Sequence, residues 1–328
     1  MSTAIQPEKV LRELHELWDQ LGREQTSSGG VLRACAMTLL VIAGDEADAE
    51  QVRRTLGVLM HDHPSRAILL RVAAGRSAAT EESPGNVNEM SARVFAECWM
   101  PFSGNQQICA EGIEITAGAA QLTEAARLLV PLIVPDLPVV LWCRGAPTFT
   151  PVVFEPLFRL AGKVIFDSSS AADPRAAIAA LQALHERGLR VADLAWTRLT
   201  GWREMIANGC QDAAVVPSEI SSVRIQFGGA APPAMVVYFT AWMEQALPSA
   251  RVILEPVPGE SGLRSVILSG SGSEITVALT DASSVEVRAG GRGCRSLLPP
   301  VSDDALMREE LSILEGDSVF DKVLSRLK

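Results

Sequence analysis

Few residues of this chain have the types and spacing that catalysis or metal binding requires. His61 and His63 flank Asp62 at the end of a helical stretch, and Pro64 follows. Two imidazoles without a further ligand set do not make a metal site. They read as a helix C-terminus, where histidine is favoured, and no metal is expected. Ser65 and Arg66 then open a strand. A hydroxyl beside a guanidinium fork suits a phosphate or carboxylate, and the competing reading is an arginine paired with an acid of its own domain. Asp167 ends an apolar strand, the position where open α/β sheets meet their ligands. Its other reading is loop capping before a helix near Pro174, with Asp173 as the N-cap. Gly270-Ser271-Gly272-Ser273 lies between two strands; without a third glycine and a following helix it reads as a hairpin turn, not a phosphate loop. No GxxxxGK[ST] and no GxSxG occurs, and His15 and His185 sit in amphipathic helices. No catalytic set, cofactor site or enzyme activity is expected from these residues.

The densest stretch is ADLAWTRLTGWRE at 192–204, which carries Asp193, Trp196, Arg198, Trp202, Arg203 and Glu204. Tryptophan and arginine so concentrated suit a partner-binding surface or a packed joint between domains. At 100° per residue Leu199, Trp202 and Ile206 share a narrow arc, with Trp196 at its side and Arg203 projecting into it. An arginine in an apolar stripe must snorkel, stack on an indole or pair with an acid. Asp193 and Glu204 are the acids nearest in sequence.

The elements that must position these residues follow from composition and periodicity. The chain has 328 residues, 48% of them hydrophobic, with mean hydropathy +0.19. That is ample for two domains with their own cores. A net charge of −10 with no dense Lys/Arg run argues against nucleic acid as a partner. No apolar run reaches 18 residues and no leader is apparent, so neither a membrane span nor export is expected, and a cytoplasmic location is. The six cysteines form no CxxC pair, which predicts reduced core thiols.

Residues 7–21 have a helical period, with Val10, Leu14, Leu17 and Leu21 on one stripe, and TSSGG at 26–30 reads as a linker. Residues 1–28 are thus a helical arm. An α/β pattern follows to residue 211: strands at 32–42, 66–73, 91–100, 106–117, 138–143 and 163–167, helices at 47–60, 121–133, near 152–161 and at 174–187, and a loop at 74–89. Apolar strands of this kind lie inside a sheet covered by helices. The expected class is α/β: a Rossmann-like layered N-terminal domain with a mixed sheet, carrying the 91–117 hairpin at its edge. Residues 212–328 predict a smaller α+β domain. Its strands fall at 220–227, 251–257, 264–269, 274–280 and 284–288, with a helix at 233–246 on an antiparallel sheet and a C-terminal helix at 303–327.

Four segments together resemble one family. HPSRAI at 63–68, PLIVPDLPVVLWCRG at 131–145, VIFDSS at 164–169 and ADLAWTRLTGWRE at 192–204 are similar to the glucose-6-phosphate dehydrogenase assembly protein family, OpcA. The likeness runs over about residues 30–210, with a looser one at EELSILEGDSVFDKVL, 309–324. This sequence departs from the family's pattern at Cys143 after Trp142 and at Ala161-Gly162-Lys163, where a charged pair is missing. The resemblance implies a non-enzymatic protein that binds glucose-6-phosphate dehydrogenase, helps its active oligomer form and raises its activity. The alternative is a sugar-phosphate sensor or enzyme using Ser65, Arg66 and Asp167.

Overall fold

Residues 37–43, Met-Thr-Leu-Leu-Val-Ile-Ala, are apolar on both faces and all are buried. Such a run fits only the middle of a sheet covered on both sides. The computed structural model, which describes residues 5–24, 30–73, 90–101, 106–144, 154–259, 261–270, 272 and 274–327, places this strand, β2 (Met37–Ala43), at the centre of the first sheet. Residues 26–29 of the linker expected at 26–30, the loop at 74–89, and Ser271 and Ser273 of the expected turn lie outside the described residues.

The other strands of this sheet are β1 (Val31–Arg33), β3 (Ser65–Ala73), β4 (Ser91–Trp99), β5 (Gln107–Gly118), β6 (Val139–Cys143), β7 (Lys163–Phe166) and β8 (Val191–Asp193). Their order is β1-β5-β3-β2-β6-β7-β8, with β4 on β5. The pairings of β5 with β3, β3 with β2, β2 with β6 and β6 with β7 are parallel, and β4 is antiparallel to β5. From β5 to β8 this is the doubly wound order 3-2-1-4-5-6, so the chain reverses its direction of travel between β2 and β6. The fold is α/β of Rossmann-like type, with a second sheet that is mixed.

Helices α1 (Pro7–Glu24), α2 (Glu46–Asp62), α3 (Leu122–Leu129), α4 (Glu155–Leu160) and α5 (Pro174–Glu186) fall between these strands or flank them. In α2, Asp45 caps the first turn by accepting from the Asp48 amide at 3.0 Å, and Val52, Leu56 and Leu59 face inward. Asp173 accepts from the amides of Arg175 and Ala176 at 3.0 and 3.2 Å, as its N-cap reading requires. The expected strand 32–42 is two strands, β1 and β2, because residues 34–36 leave the ladder.

Cys98 and Cys109 are directly opposed on β4 and β5 and joined as a disulfide. This corrects the expectation of six reduced thiols: eleven residues of sequence separation hide a pairing that only the hairpin register creates. Lys163 on β7 is buried, and its ammonium donates to Glu310 Oε2 at 2.6 Å, to the Glu310 carbonyl at 2.7 Å and to the Ile313 carbonyl at 2.8 Å. All three ammonium donors are matched, as burial of a lysine demands.

The second sheet has the order β10-β9-β11-β12-β13-β14, with β9 Ile220–Gly228, β10 Arg251–Val257, β11 Gly262–Gly270, β12 Glu274–Leu279, β13 Ser284–Ala289 and β14 Arg292–Leu297. It was expected to be antiparallel, but β10 runs parallel to β9. The reason is the helix α8 (Ala234–Ala246) between them, which returns the chain to the starting edge. Strand β14 was not expected: all six of its residues are exposed, so no apolar alternation marks it. Two short helices, α6 (Leu194–Thr197) and α7 (Thr200–Asp212), precede the sheet. The expected C-terminal helix is two, α9 (Asp303–Ser312) and α10 (Ser318–Arg326). Gly316, at φ 101°, turns the chain between them, and Asp317 caps the second.

The chain divides into two compact units. The first holds residues 1–166, 184–191 and 310–315; the second holds 167–183, 192–309 and 316–328. No helix among the described residues is long and apolar enough to cross a membrane.

Candidate partner-binding element and cofactor crevice

In the second unit the 192–204 stretch is built around Asp193, which ends β8 and caps α6. Its carboxylate is fully buried. Oδ1 accepts from the amides of Ala195 at 2.9 Å and Ser168 at 3.0 Å, and Oδ2 accepts from the Tyr238 hydroxyl at 2.7 Å. Burial is the main cause that pushes its pKa up to about 6; the backbone donors oppose that push and Asp167 adds to it. Tyr238, the sole tyrosine, is raised well above its ordinary value, first by burial and then by Asp193.

Trp196 is 2% exposed, and its indole N–H donates to Asp317 Oδ2 at 2.8 Å. The other oxygen of Asp317 caps α10 through Val319 and Phe320. Phe320 and Tyr238 pack on the Trp196 ring with centroids 5.7 and 6.4 Å away. The Arg203 guanidinium lies 3.9 Å from the centre of the same ring, so stacking on an indole is the option that its position takes. It also donates to Thr200 at 2.9 Å. Leu199, Trp202 and Ile206 are all buried, as their shared arc predicts.

Arg198 forks onto Asp167 with both bonds at 2.8 Å, and Asp303 lies 3.8 Å away. Burial acts to lower its pKa, but pairing with Asp167 prevails and the net shift is upward. Of the block only Glu204 is exposed, with Arg198 and Arg203 part-exposed. The hydrogen-bond partners of Asp193, Trp196, Arg198 and Arg203 named above belong to the same unit. The structure therefore links Asp193 through Tyr238 to Trp196 and stacks Arg203 on that ring, buries Trp202, and leaves Arg198, Arg203 and Glu204 part-exposed or exposed. Sequence reading missed Tyr238, Asp317 and Phe320. The signals were there: the single tyrosine of the chain, and a Gly-Asp-Ser helix start.

Ser65 and Arg66 belong to the first unit and Asp167 to the second. Ser65 opens β3, at the edge opposite the carboxyl ends where such sheets take ligands. Arg66 is 8% exposed and donates to Glu111 at 2.6 Å and to the Leu132 carbonyl at 2.9 Å. Glu111 also accepts from Arg33 and from Trp18 of α1, both at 2.7 Å. Its burial raises its pKa, but the three donors outweigh that and hold it below the usual carboxylate range.

The doubly wound order implies a dinucleotide crevice at the carboxyl edge between β2 and β6. The described residues there do not fit one. From the last residue of β2 the chain reads Ala43-Gly44-Asp45-Glu46-Ala47-Asp48, one glycine where the fingerprint has three. The Gly44 amide donates to Asp48 Oδ2 at 2.8 Å. Asp48 Oδ1 accepts from Arg144, which follows β6, at 2.6 Å. Glu46 bridges Arg53 at 2.6 Å and Arg71 of β3 at 3.0 Å. Among the described residues no group of three or more His, Cys, Asp or Glu is placed to hold a metal ion.

Residues 57–183 match the family described as glucose-6-phosphate dehydrogenase subunit N-terminal domain, and residues 189–324 match its C-terminal domain. The OxPP cycle protein OpcA of Nostoc punctiforme is 29% identical over 166 residues, 50% of this chain and 36% of that protein. The protein of the same name from Synechococcus elongatus is 28% identical over 187 residues, 54% of this chain and 40% of that one. The match thus spans well under half the length of these relatives. An NAD binding oxidoreductase from Klebsiella pneumoniae has the same fold, with 10% identity, TM-score 0.50, and coverage of 90% of this chain and 94% of that one. Two matched domains of one family, in order along 57–324, carry the assignment: the chain belongs to the OpcA family of glucose-6-phosphate dehydrogenase assembly proteins.

Proposed function

We propose that this chain is an assembly factor and allosteric activator of glucose-6-phosphate dehydrogenase. It acts in the cytoplasm by protein–protein binding and has no catalytic activity of its own. The observation that carries the reading is the match of both halves of the chain to domains named for that dehydrogenase. The names of the relatives from Nostoc and Synechococcus tie those proteins to the OxPP cycle, in keeping with it. The crevice described above supports a binding role, because its residues do not fit the cofactor that this fold usually turns to chemistry.

An activator must bind the active state of its partner more tightly than the inactive one. Couplings of about 1–3 kcal/mol, or roughly 5–150-fold in affinity, are ordinary. The candidate contact is the rim of Arg198, Arg203 and Glu204. Beneath it is the Trp196–Tyr238–Phe320 cluster, on which Arg203 stacks, while Asp167 holds Arg198. Arginines held in this way lose less conformational freedom when they bind than free ones would.

The test is a titration of the purified chain into the dehydrogenase of its own organism, reading complex mass and apparent substrate affinity together. A stable complex with a several-fold lower KM is expected. Neither a mass change nor a kinetic change at micromolar concentrations would overturn the proposal.

A further inference from the structure

We propose that the dinucleotide crevice of the first unit is occupied by the protein's own carboxylates, so that Glu46 and Asp48 stand where a cofactor's diphosphate would lie. The inference concerns the crevice alone and holds whether or not the chain binds a dehydrogenase.

A diphosphate at this place is held by three things: glycines that let the backbone approach, free amides at the helix N-terminus, and the positive end of the helix. Here one glycine stands where three are needed, and the amides of Gly44 and Asp48 are engaged in cis. The Gly44 amide goes to Asp48, and the Asp48 amide goes to Asp45. Asp45, Glu46 and Asp48 supply negative charge to the first turn of α2, which favours the helix and repels a second anion.

The cations are engaged as well. Arg71 lies near the end of β3, close to where an enzyme selective for the 2′-phosphate keeps a basic residue. It forms an ion pair with Glu46 at 3.0 Å and donates to Thr116 at 3.0 Å. Arg53 is shared between Glu46 and both oxygens of Glu114. Its pKa is raised, chiefly by Glu114 and next by Glu46. Arg144 joins Asp48 at 2.6 Å and lies over the buried Trp142 ring at 4.8 Å. The side chains of Arg144 and Asp48 are 16% and 22% exposed, so their pair is only partly screened, whereas Glu46 is 61% exposed and its pairs with Arg53 and Arg71 are open to solvent on the acid's side. A dinucleotide would have to displace two carboxylates from three arginines and then face the displaced charges.

Equilibrium dialysis of the full chain against NADP+ and NAD+, each up to 1 mM, tests the first half of the proposal. No saturable uptake is expected. One equivalent bound with a Kd below 1 mM, weakened by Arg71→Ala, would overturn it. The second half is tested by melting Glu46→Gln and Asp48→Asn, singly and together, with and without inorganic pyrophosphate. Each variant is expected to lose several degrees in Tm, and pyrophosphate is expected to restore part of the loss in the variants while leaving the wild type unmoved. Variants with wild-type Tm, or a wild type that pyrophosphate stabilises as much as the variants, would overturn the stand-in role. If the double variant does not fold, the single variants and the wild-type dialysis decide.

Discussion

At the scale of single residues, Asp193 shows how burial sets a charge state. Its carboxyl is fully buried and its pKa is pushed up to about 6 from an ordinary 3.8. The folded state therefore favours the neutral form. The stability this contributes is complete below the unfolded pKa and is lost as pH rises through about 6. The shift corresponds to about 3 kcal/mol at roughly 1.4 kcal/mol per unit. Denaturant titrations at pH 4, 5 and 6.5 are expected to show wild-type stability falling relative to Asp193→Asn across that window; parallel curves would remove Asp193 as the cause. Glu204 is the opposite case, being exposed. Glu204→Lys is expected to leave the unfolding free energy within about 0.5 kcal/mol and to weaken the dehydrogenase complex. An unchanged affinity in the binding titration would move the interface away from this rim.

Among the elements, β7 and the β4–β5 hairpin show what packing adds to pattern. Lys163 is buried on β7 and meets Glu310 and Ile313 from a segment about 150 residues later, counted in the first unit. Removing one partner of a buried pair leaves the other uncompensated, at a cost of about 3–5 kcal/mol. Lys163→Met is accordingly expected to lower stability by that amount, and Lys163→Met with Glu310→Leu to recover part of it; additive losses in chemical unfolding would refute the coupling. In the hairpin, the Cys98–Cys109 bridge leaves four thiols, on Cys35, Cys143, Cys210 and Cys294. Thiol titration of the denatured chain is expected to count four before reduction and six after it. Six before reduction would show the bridge to be absent. The cysteines gave no hint of this in sequence, since neither spacing nor flanking residues tell which positions oppose each other across a ladder.

For the whole molecule, the legible features were those that depend on neighbours in sequence. Two-sided apolar runs marked β2, β6 and β7, and helical periodicity marked α1, α2 and α8. The inward arc of Leu199, Trp202 and Ile206 followed from 100° per residue alone. Four segments together, 192–204 among them, were enough to suggest the family, which the domain matches then showed. What sequence could not supply were relations between distant segments. The parallel entry of β10 depends on the path of α8. The seat of Trp196 depends on Asp317, 121 residues away. The neutralised crevice depends on Arg71 and Arg144 arriving from two other strand ends. Local periodicity is set by the geometry of a single backbone segment, so composition and order determine it. Charge pairing, disulfide partnership and the closure of a crevice are set by which strands become neighbours, and only the tertiary structure decides that.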